Sequence, residues 1–294
     1  MFRLAQVSDP HFRSFAGAMP SDFFGKRAIG ALNLLVNRGR KHRMALLDAL
    51  RDDLRVQGAE HLVMTGDLSN LSLPGEWATA RRWIDRYGAA QAVTVIPGNH
   101  DAYVAGVVEQ RLFEKAFASF QTAEVRLDED TYPFARVREG VAIVGVNTCL
   151  PTGDLGAWGR IGETQLGRIE RLLAAPELRD SIRVVAMHHP PVIHRGGDER
   201  NLRDHAAFAA VIARVGAELV LHGHDHRDER AKLVGPGGAQ IPVIGCGSAS
   251  YDGSADRRSR YNIFEIDGRA ITLCTRSHVE ASNEFREVRR ERLG

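Results

Sequence analysis

Five short runs carry side chains that can hold metal ions: Asp9-Pro10-His11, Gly66-Asp67, Gly98-Asn99-His100-Asp101, His188-His189-Pro190-Pro191 and His222-Gly223-His224-Asp225-His226. Imidazoles and carboxylates in one set suit Mn, Fe or Zn, whereas an all-oxygen set would suit Mg or Ca. The donors are too many for one ion and suit two ions that share a carboxylate. Asp67 is the natural shared group, because an aspartate at a strand end can offer one oxygen to each ion. Each run alone has an ordinary reading. Asp-x-His is usually a turn, Gly-Asp after a strand is commonplace, and Gly-His-Asp-His can be a solvated loop. Gly-Asn-His-Asp is rarer, since turn chemistry accounts for its Gly-Asn but not for its His-Asp. All five in this order, each following an apolar run, point to a site.

The elements that must position these runs are short apolar strands alternating with helical patterns. Leu4–Val7, His61–Met64 and Ala92–Ile96 read as strands. Met44–Val56 and Glu76–Tyr87 read as helices between them, because their apolar residues recur at helical spacing. This βαβαβ start predicts an α/β sheet with helices outside. Val141–Val146, Ile182–Met187 and Glu218–Leu221 repeat the strand theme, with helices at Glu163–Leu173 and Leu202–Val215. Beyond Arg230 the pattern changes to strands with Gly-rich turns, at Ile241–Gly245, Tyr261–Ile266 and Ala270–Thr275, as in an antiparallel meander. Every candidate run sits at the carboxyl end of an expected strand, where open α/β sheets bind ligands. Glycines 66, 98 and 223 are expected to let the backbone turn and to make room for substrate.

The chain is long enough, at 294 residues, for a substantial core. A single domain over 1–277 with a charged tail over 278–294 is the expected organisation. A formal net charge of +2 argues against a dedicated nucleic-acid binder, which would concentrate basic residues. Cys149, Cys246 and Cys274 are widely spaced, with no CxxC pair, and are expected to be buried reduced thiols. No secretory signal or membrane span is visible, so the expected location is the cytoplasm.

The order Asp-x-His, Gly-Asp, Gly-Asn-His-Asp, His, Gly-His-x-His, spanning residues 9 to 226, resembles the calcineurin-like metallophosphoesterase superfamily. The resemblance implies a four-layer α/β/β/α sandwich with two mixed sheets, the antiparallel C-terminal part completing the second. It implies that Asp9, His11, Asp67 and His226 hold one ion and that Asp67, Asn99, His188 and His224 hold the other. His188, which directly ends its strand, is preferred over His189. His100 would sit beside the substrate and Asp101 would orient it. Pro10 stiffens the first loop without removing a ligand. Two such ions would activate a shared water for in-line attack on a phosphate ester, with no Ser or Cys nucleophile. Among family branches the chain looks most like bacterial cyclic-nucleotide-type (class III) phosphodiesterases. An inactive metal-binding scaffold of the same fold is the alternative from another class, and the complete set of ligand types argues against it. His194 and Arg195, following the Pro190-Pro191 turn, are candidates for substrate contact or for simple exposure.

The segment 13–43 breaks the rhythm and reads as an insertion, a flap or helical hairpin directly after Asp9 and His11. Phe23, Phe24, Ile29, Leu32, Leu35 and Val36 supply apolar area. Lys26, Arg27, Arg38, Arg40, Lys41 and Arg43 supply charge at both ends. Its apolar side can pack on the domain, on a second subunit of a homo-oligomer, or on a membrane surface. The last case would place the protein at the inner face of the membrane, hydrolysing a lipid-linked phosphodiester or pyrophosphate.

Overall fold

Runs rich in Val, Ile and Leu form strands here because both their faces are covered, which removes any need for alternating polar residues. A computed structural model describes residues 1–153, 156–193 and 199–294. In chain order the strands are β1 (Phe2–Val7), β2 (His61–Thr65), β3 (Val93–Ile96), β4 (Phe134–Arg138), β5 (Val141–Gly145), β6 (Ile182–Ala186), β7 (Leu219–His222), β8 (Glu229–Val234), β9 (Gln240–Gly245), β10 (Arg260–Asp267), β11 (Ala270–Val279) and β12 (Glu284–Leu293). The helices are α1 (Lys26–Asn33), α2 (Gly39–Lys41), α3 (Met44–Val56), α4 (Pro74–Tyr87), α5 (Ala105–Glu109), α6 (Leu112–Phe117), α7 (Glu163–Leu173) and α8 (His205–Val215).

The strands form two six-stranded sheets, ordered β12-β11-β10-β1-β2-β3 and β4-β5-β6-β7-β9-β8. Both are mixed: β1, β2 and β3 run parallel, as do β5, β6, β7 and β9, with antiparallel strands at the margins. The period-2 side-chain alternation of a strand divides the core into layers. Ala5, Val7, Leu62 and Met64 face Leu47, Leu50 and Leu54 of α3 and Trp77 and Ile84 of α4. Their neighbours Leu4 and Val63 point the other way, into a core shared with Ile143, Val184 and Leu221 of the second sheet. Val144, Val185 and Val220 then face Leu166, Ile169, Phe208 and Ile212 of α7 and α8. The result is the expected α/β/β/α sandwich.

Two expectations need correction. The C-terminal strands do not all complete the second sheet: β8 and β9 join it, but β10, β11 and β12 extend the first sheet from β1. The charged tail is not an appendage beyond the fold, because β12 pairs along the length of β11. Its strand character is hidden because only Phe285 is a buried apolar residue, while Arg290 and Glu291 pair with Glu265 and Arg230. Charge on an edge strand blocks further pairing. His278, read as a tail residue, is instead buried against Phe285. The three cysteines are buried and free. No helix among the described residues is long and apolar enough to cross a membrane.

Candidate metal centre

Parallel strands end in register, so the loops after β1, β2, β3, β6 and β7 meet at one edge. Backbone hydrogen bonds join them: Asp9 N–H donates to Gly66 C=O (3.1 Å), His11 N–H to Asp67 C=O (3.0 Å) and Gly223 N–H to His188 C=O (3.0 Å). Asp9, His11, Asp67, His188 and His224 are almost wholly buried. Among the described residues nine non-glycine residues have positive φ, and five of them are Asp9, His11, Asp67, His224 and His226. Such backbone costs on the order of 1–3 kcal/mol per residue and persists where the surroundings impose it. The strain is therefore concentrated on the donor loops.

The side chains fall into two groups. In one, His226 Nε2 lies 3.1 Å from His11 Nε2 and 3.2 Å from Asp9 Oδ1. In the other, Asn99 Oδ1 lies 3.1 Å from His188 Nε2 and 3.0 Å from His224 Nδ1, and these two nitrogens are 3.3 Å apart. Asp67 connects them: its Oδ2 is 3.8 Å from His11 Nε2 and its Oδ1 is 3.5 Å from His188 Nε2. Donors held about 2.0–2.2 Å from a common ion stand roughly 3–4 Å apart, so both groups have the spacing of a coordination shell.

The donor chemistry fits metal ions on independent grounds. His11 Nδ1 donates to Ser69 C=O (3.2 Å) and His188 Nδ1 to Thr65 C=O (2.9 Å), which turns each Nε2 toward the site. Asp9 Oδ2 accepts from Ser8 Oγ–H (2.6 Å) and His224 N–H (3.1 Å), while Oδ1 faces His226 Nε2 at 3.2 Å. Burial pushes Asp9 upward, but the His226 charge and hydrogen bonds hold it below the usual carboxylate range. Burial, helped by neighbouring imidazoles, holds His224 well below the ordinary histidine value. An anionic carboxylate and a neutral imidazole are the forms that bind metal.

His189 has both ring nitrogens engaged, at 2.7 Å from Thr148 Oγ1 and 3.1 Å from Ala157 C=O, and its ring packs on His224 at 4.5 Å. It supports the donors from behind. Gly66 makes the expected backbone turn, at φ 90°, but the space left by the other two glycines has a different use from the one expected. A Cβ on Gly98 would lie 2.1 Å from Asp67 N and Oδ1, and one on Gly223 would lie 2.6 Å from Asp9 Oδ2. They make room for donors rather than for substrate.

His100 lies at the edge of a cavity of about 360 Å³ that also exposes Asp67, Asn99, His224 and His226. Its Nδ1–H donates to Asn70 C=O (2.6 Å) and its ring stacks on Tyr103 at 5.4 Å. Asp101 does not orient this ring, contrary to expectation. Its buried carboxylate accepts from the backbone N–H groups of Leu68, Ser69 and Gly98 and from Ser69 Oγ–H, tying the second and third donor loops together. Asn70 completes the frame, its amide donating to His11 C=O and Phe12 C=O. Sequence reasoning missed Asn70 and Tyr103, although both lie within three residues of a donor run.

The insertion supplies the opposite wall of the cavity, through Lys26, Ile29, Gly30 and Asn33 of α1. Its partly covered side is Leu34 with Phe23 and Ala31, packed on Leu71, Leu73 and Tyr103. His194 and Arg195 lie outside the described residues. A larger depression of about 460 Å³, lined by Arg111, Asn147 and Arg168, contains none of the donors.

Comparison with known proteins agrees with this geometry. No curated protein matches the sequence. Among solved structures, a dimetal phosphatase from Danio rerio superposes with a TM-score of 0.62 at 14% identity, covering 98% of each chain. A purple acid phosphatase from yellow lupin (Lupinus luteus) seeds gives 0.62 at 12% identity, covering 97% of this chain and 52% of the other. At these identities the likeness establishes the fold alone. The model of the calcineurin-like phosphoesterase family matches residues 2–228, and the chain belongs to that family.

Proposed function

We propose that the protein is a dinuclear metal-dependent hydrolase of phosphodiesters. The observation that supports this most is the position of Asp67, with one oxygen toward each of two donor groups. Asp9, His11, Asp67 and His226 would hold one ion, and Asp67, Asn99, His188 and His224 the other. Bound there, the ions would supply Lewis acidity and a hydroxide nucleophile near neutral pH. The chain's own residues do the rest. His100, fixed through Nδ1 by Asn70 and stacked on Tyr103 beside the donors, is the group we assign to protonate the leaving oxygen when its ring is charged. Asp101 keeps the His100 loop in register with Asp67. The cavity has room for a small diester such as a cyclic nucleotide.

The test is hydrolysis of bis(p-nitrophenyl) phosphate and p-nitrophenyl phosphate by protein stripped with chelator and reloaded with Mn²⁺. Diester turnover that disappears on stripping and returns on reloading is expected. Absence of turnover on every phosphate ester, with metal bound, would favour a scaffold.

A second reading rests on a specific observation. Beside the cavity, Phe24, Ile29, Leu32, Leu35 and Val36 are between 51% and 76% exposed. Exposed apolar side chains on a segment that also carries the exposed Lys41 suit an amphiphilic diester or pyrophosphate at a membrane surface. Sedimentation with anionic vesicles at low and high salt tests it. Binding at low salt that weakens at high salt is expected, since basic residues near such a surface contribute ~1 kcal/mol each and are screened.

A further inference from the structure

Arg27 of α1 reaches out of the insertion to the loop that follows β2. Its Nε–H donates to Leu71 C=O (2.9 Å), an Nη2–H donates to Ser72 C=O (2.9 Å), and Nη1 pairs with Asp22 at 3.3 Å. Leu71 and Ser72 are buried, and a buried carbonyl left without a donor is costly. The same loop grips His100 at two points. Asn70 C=O accepts from its Nδ1–H, and Ser72 Oγ–H donates to its C=O (2.8 Å) while accepting from Tyr103 N–H (3.0 Å). We propose that Arg27 is a positioning residue for His100, acting through residues 70–72, so that the insertion forms part of the support of the proton donor. The proposal rests on the hydrolase reading above and on the role given there to His100.

Both kinds of backbone group in this loop are held. The Glu76 carboxyl accepts from the N–H groups of Asn70, Leu71 and Leu73, while Arg27 donates to the carbonyls of Leu71 and Ser72. A guanidinium presents its donors in a planar fork and so can hold two successive carbonyls at once, which an ammonium on a flexible stem does less well. A second contact joins the same helix to the same group. A Cβ on Gly30 would lie 2.5 Å from Tyr103 Oη and 2.6 Å from Leu71 Cδ2, so α1 lies directly against the residue whose ring stacks on His100. The insertion is tied down at its far end as well. His42 Nδ1 lies 2.7 Å from Ser250 Oγ, and Arg43 N–H donates to Ser250 C=O (2.8 Å). There the His42 ring sits edge-on to His11 and His226, with centroids 4.8 Å and 5.6 Å away. Helix α1 is thus held beside the site from both ends, and Arg27 passes that constraint to the segment that carries His100.

The test separates positioning from general support of the fold by means of the leaving group. Protein reloaded with Mn²⁺ is assayed on methyl p-nitrophenyl phosphate and on methyl phenyl phosphate, whose poorer leaving group needs more help from a proton donor. Arg27→Met is expected to lose about 10- to 100-fold in kcat on the phenyl ester, as a displacement near 1 Å can cause, and clearly less on the nitrophenyl ester. Arg27→Lys, which can restore one of the two bonds, should recover part of the loss. In a His100→Ala background Arg27→Met should add almost nothing, because residues that act as one unit are not additive. Equal losses on both esters, or full additivity with His100→Ala, would overturn the proposal. The His100 Nδ1–H gives a readout without turnover. In Zn²⁺-loaded protein carrying isotope-labelled histidine, its proton resonance is assigned by its absence from His100→Ala. It is expected to shift or broaden in Arg27→Met, and an unchanged resonance would also overturn the proposal. Where the methionine variant fails to fold, Arg27→Lys decides by the same readings. Absence of diester turnover by the native protein would instead sink the hydrolase reading, and the resonance would then judge the link between Arg27 and His100 by itself.

Discussion

Gly98→Ala and Gly167→Ala are the same chemical change in two environments, and the structure assigns them opposite outcomes. Neither glycine has a positive φ, so backbone strain does not enter. At Gly167, in the interior of α7, an added Cβ meets nothing within 4 Å. The helix preference of alanine over glycine should then stabilise the protein by up to about 1 kcal/mol. At Gly98 the Cβ would stand 2.1 Å from Asp67 N and 2.1 Å from Asp67 Oδ1. The first neighbour is backbone and cannot rotate away. Reaching even a 3.0 Å contact needs about 0.9 Å of movement in a close-packed region. Overpacking of this kind costs about 1–3 kcal/mol. It also displaces the carboxylate that faces both donor groups, and a shift near 1 Å at a reacting centre can cost ~10²-fold in rate. Thermal melts of both variants, metal content by elemental analysis and turnover of a chromogenic diester form the assay. The expected Gly98→Ala protein melts lower, binds less metal and loses about 100-fold in turnover, while Gly167→Ala melts higher with native kinetics. A Gly98→Ala protein with native metal content and turnover would refute the packing argument and the role given to Asp67.

Other outcomes can be checked alongside. Asp67→Asn should abolish turnover and lower occupancy at both positions, because an amide cannot supply two anionic contacts; two full equivalents in the purified variant would contradict a shared ligand. His100→Ala should retain metal and lose ~10²–10⁴ in rate, with a smaller loss for substrates with good leaving groups. An equal loss across a leaving-group series would count against proton donation. Glu76 accepts backbone hydrogen bonds from Asn70, Leu71 and Leu73, yet burial raises its pKa to about 7. The folded state therefore binds the extra proton, so this group's contribution is full below pH 4.5 and is lost as pH rises toward 7, a change of roughly 3 kcal/mol. Glu76→Gln should lack that slope. The gap in melting temperature between native protein and variant is thus expected to shrink from pH 4.5 to 7, and a constant gap would show that Glu76 titrates normally.

The donors are legible in the sequence because each follows its own strand by two to four residues. An apolar run both predicts the strand and announces where its carboxyl end lies. Asp9, Asp67, Asn99, His188 and His224 can be found this way, along with the strands that carry them. Elements without such a local signature cannot. In β12 the alternating charges mask the strand, since an edge strand with one covered face needs few apolar residues. Asp101 sits beside His100 in sequence and suggests a pair, but its carboxylate turns toward the backbone of Leu68, Ser69 and Gly98.

What the sequence determined by itself is the inventory: which residue types stand at which strand ends, and hence the kind of chemistry open to the chain. What only the tertiary structure decided is who faces whom. The division of donors into two groups, with Asp67 Oδ1 toward one and Oδ2 toward the other, depends on loops brought together across the chain by parallel pairing. His42 shows the limit most clearly. In sequence it is one histidine in a basic stretch, more than thirty residues from His11 and nearly two hundred from His226. No periodicity relates those positions. It reaches the site because the insertion's end hydrogen-bonds to residues 250–252, a contact between distant segments that local patterning does not encode.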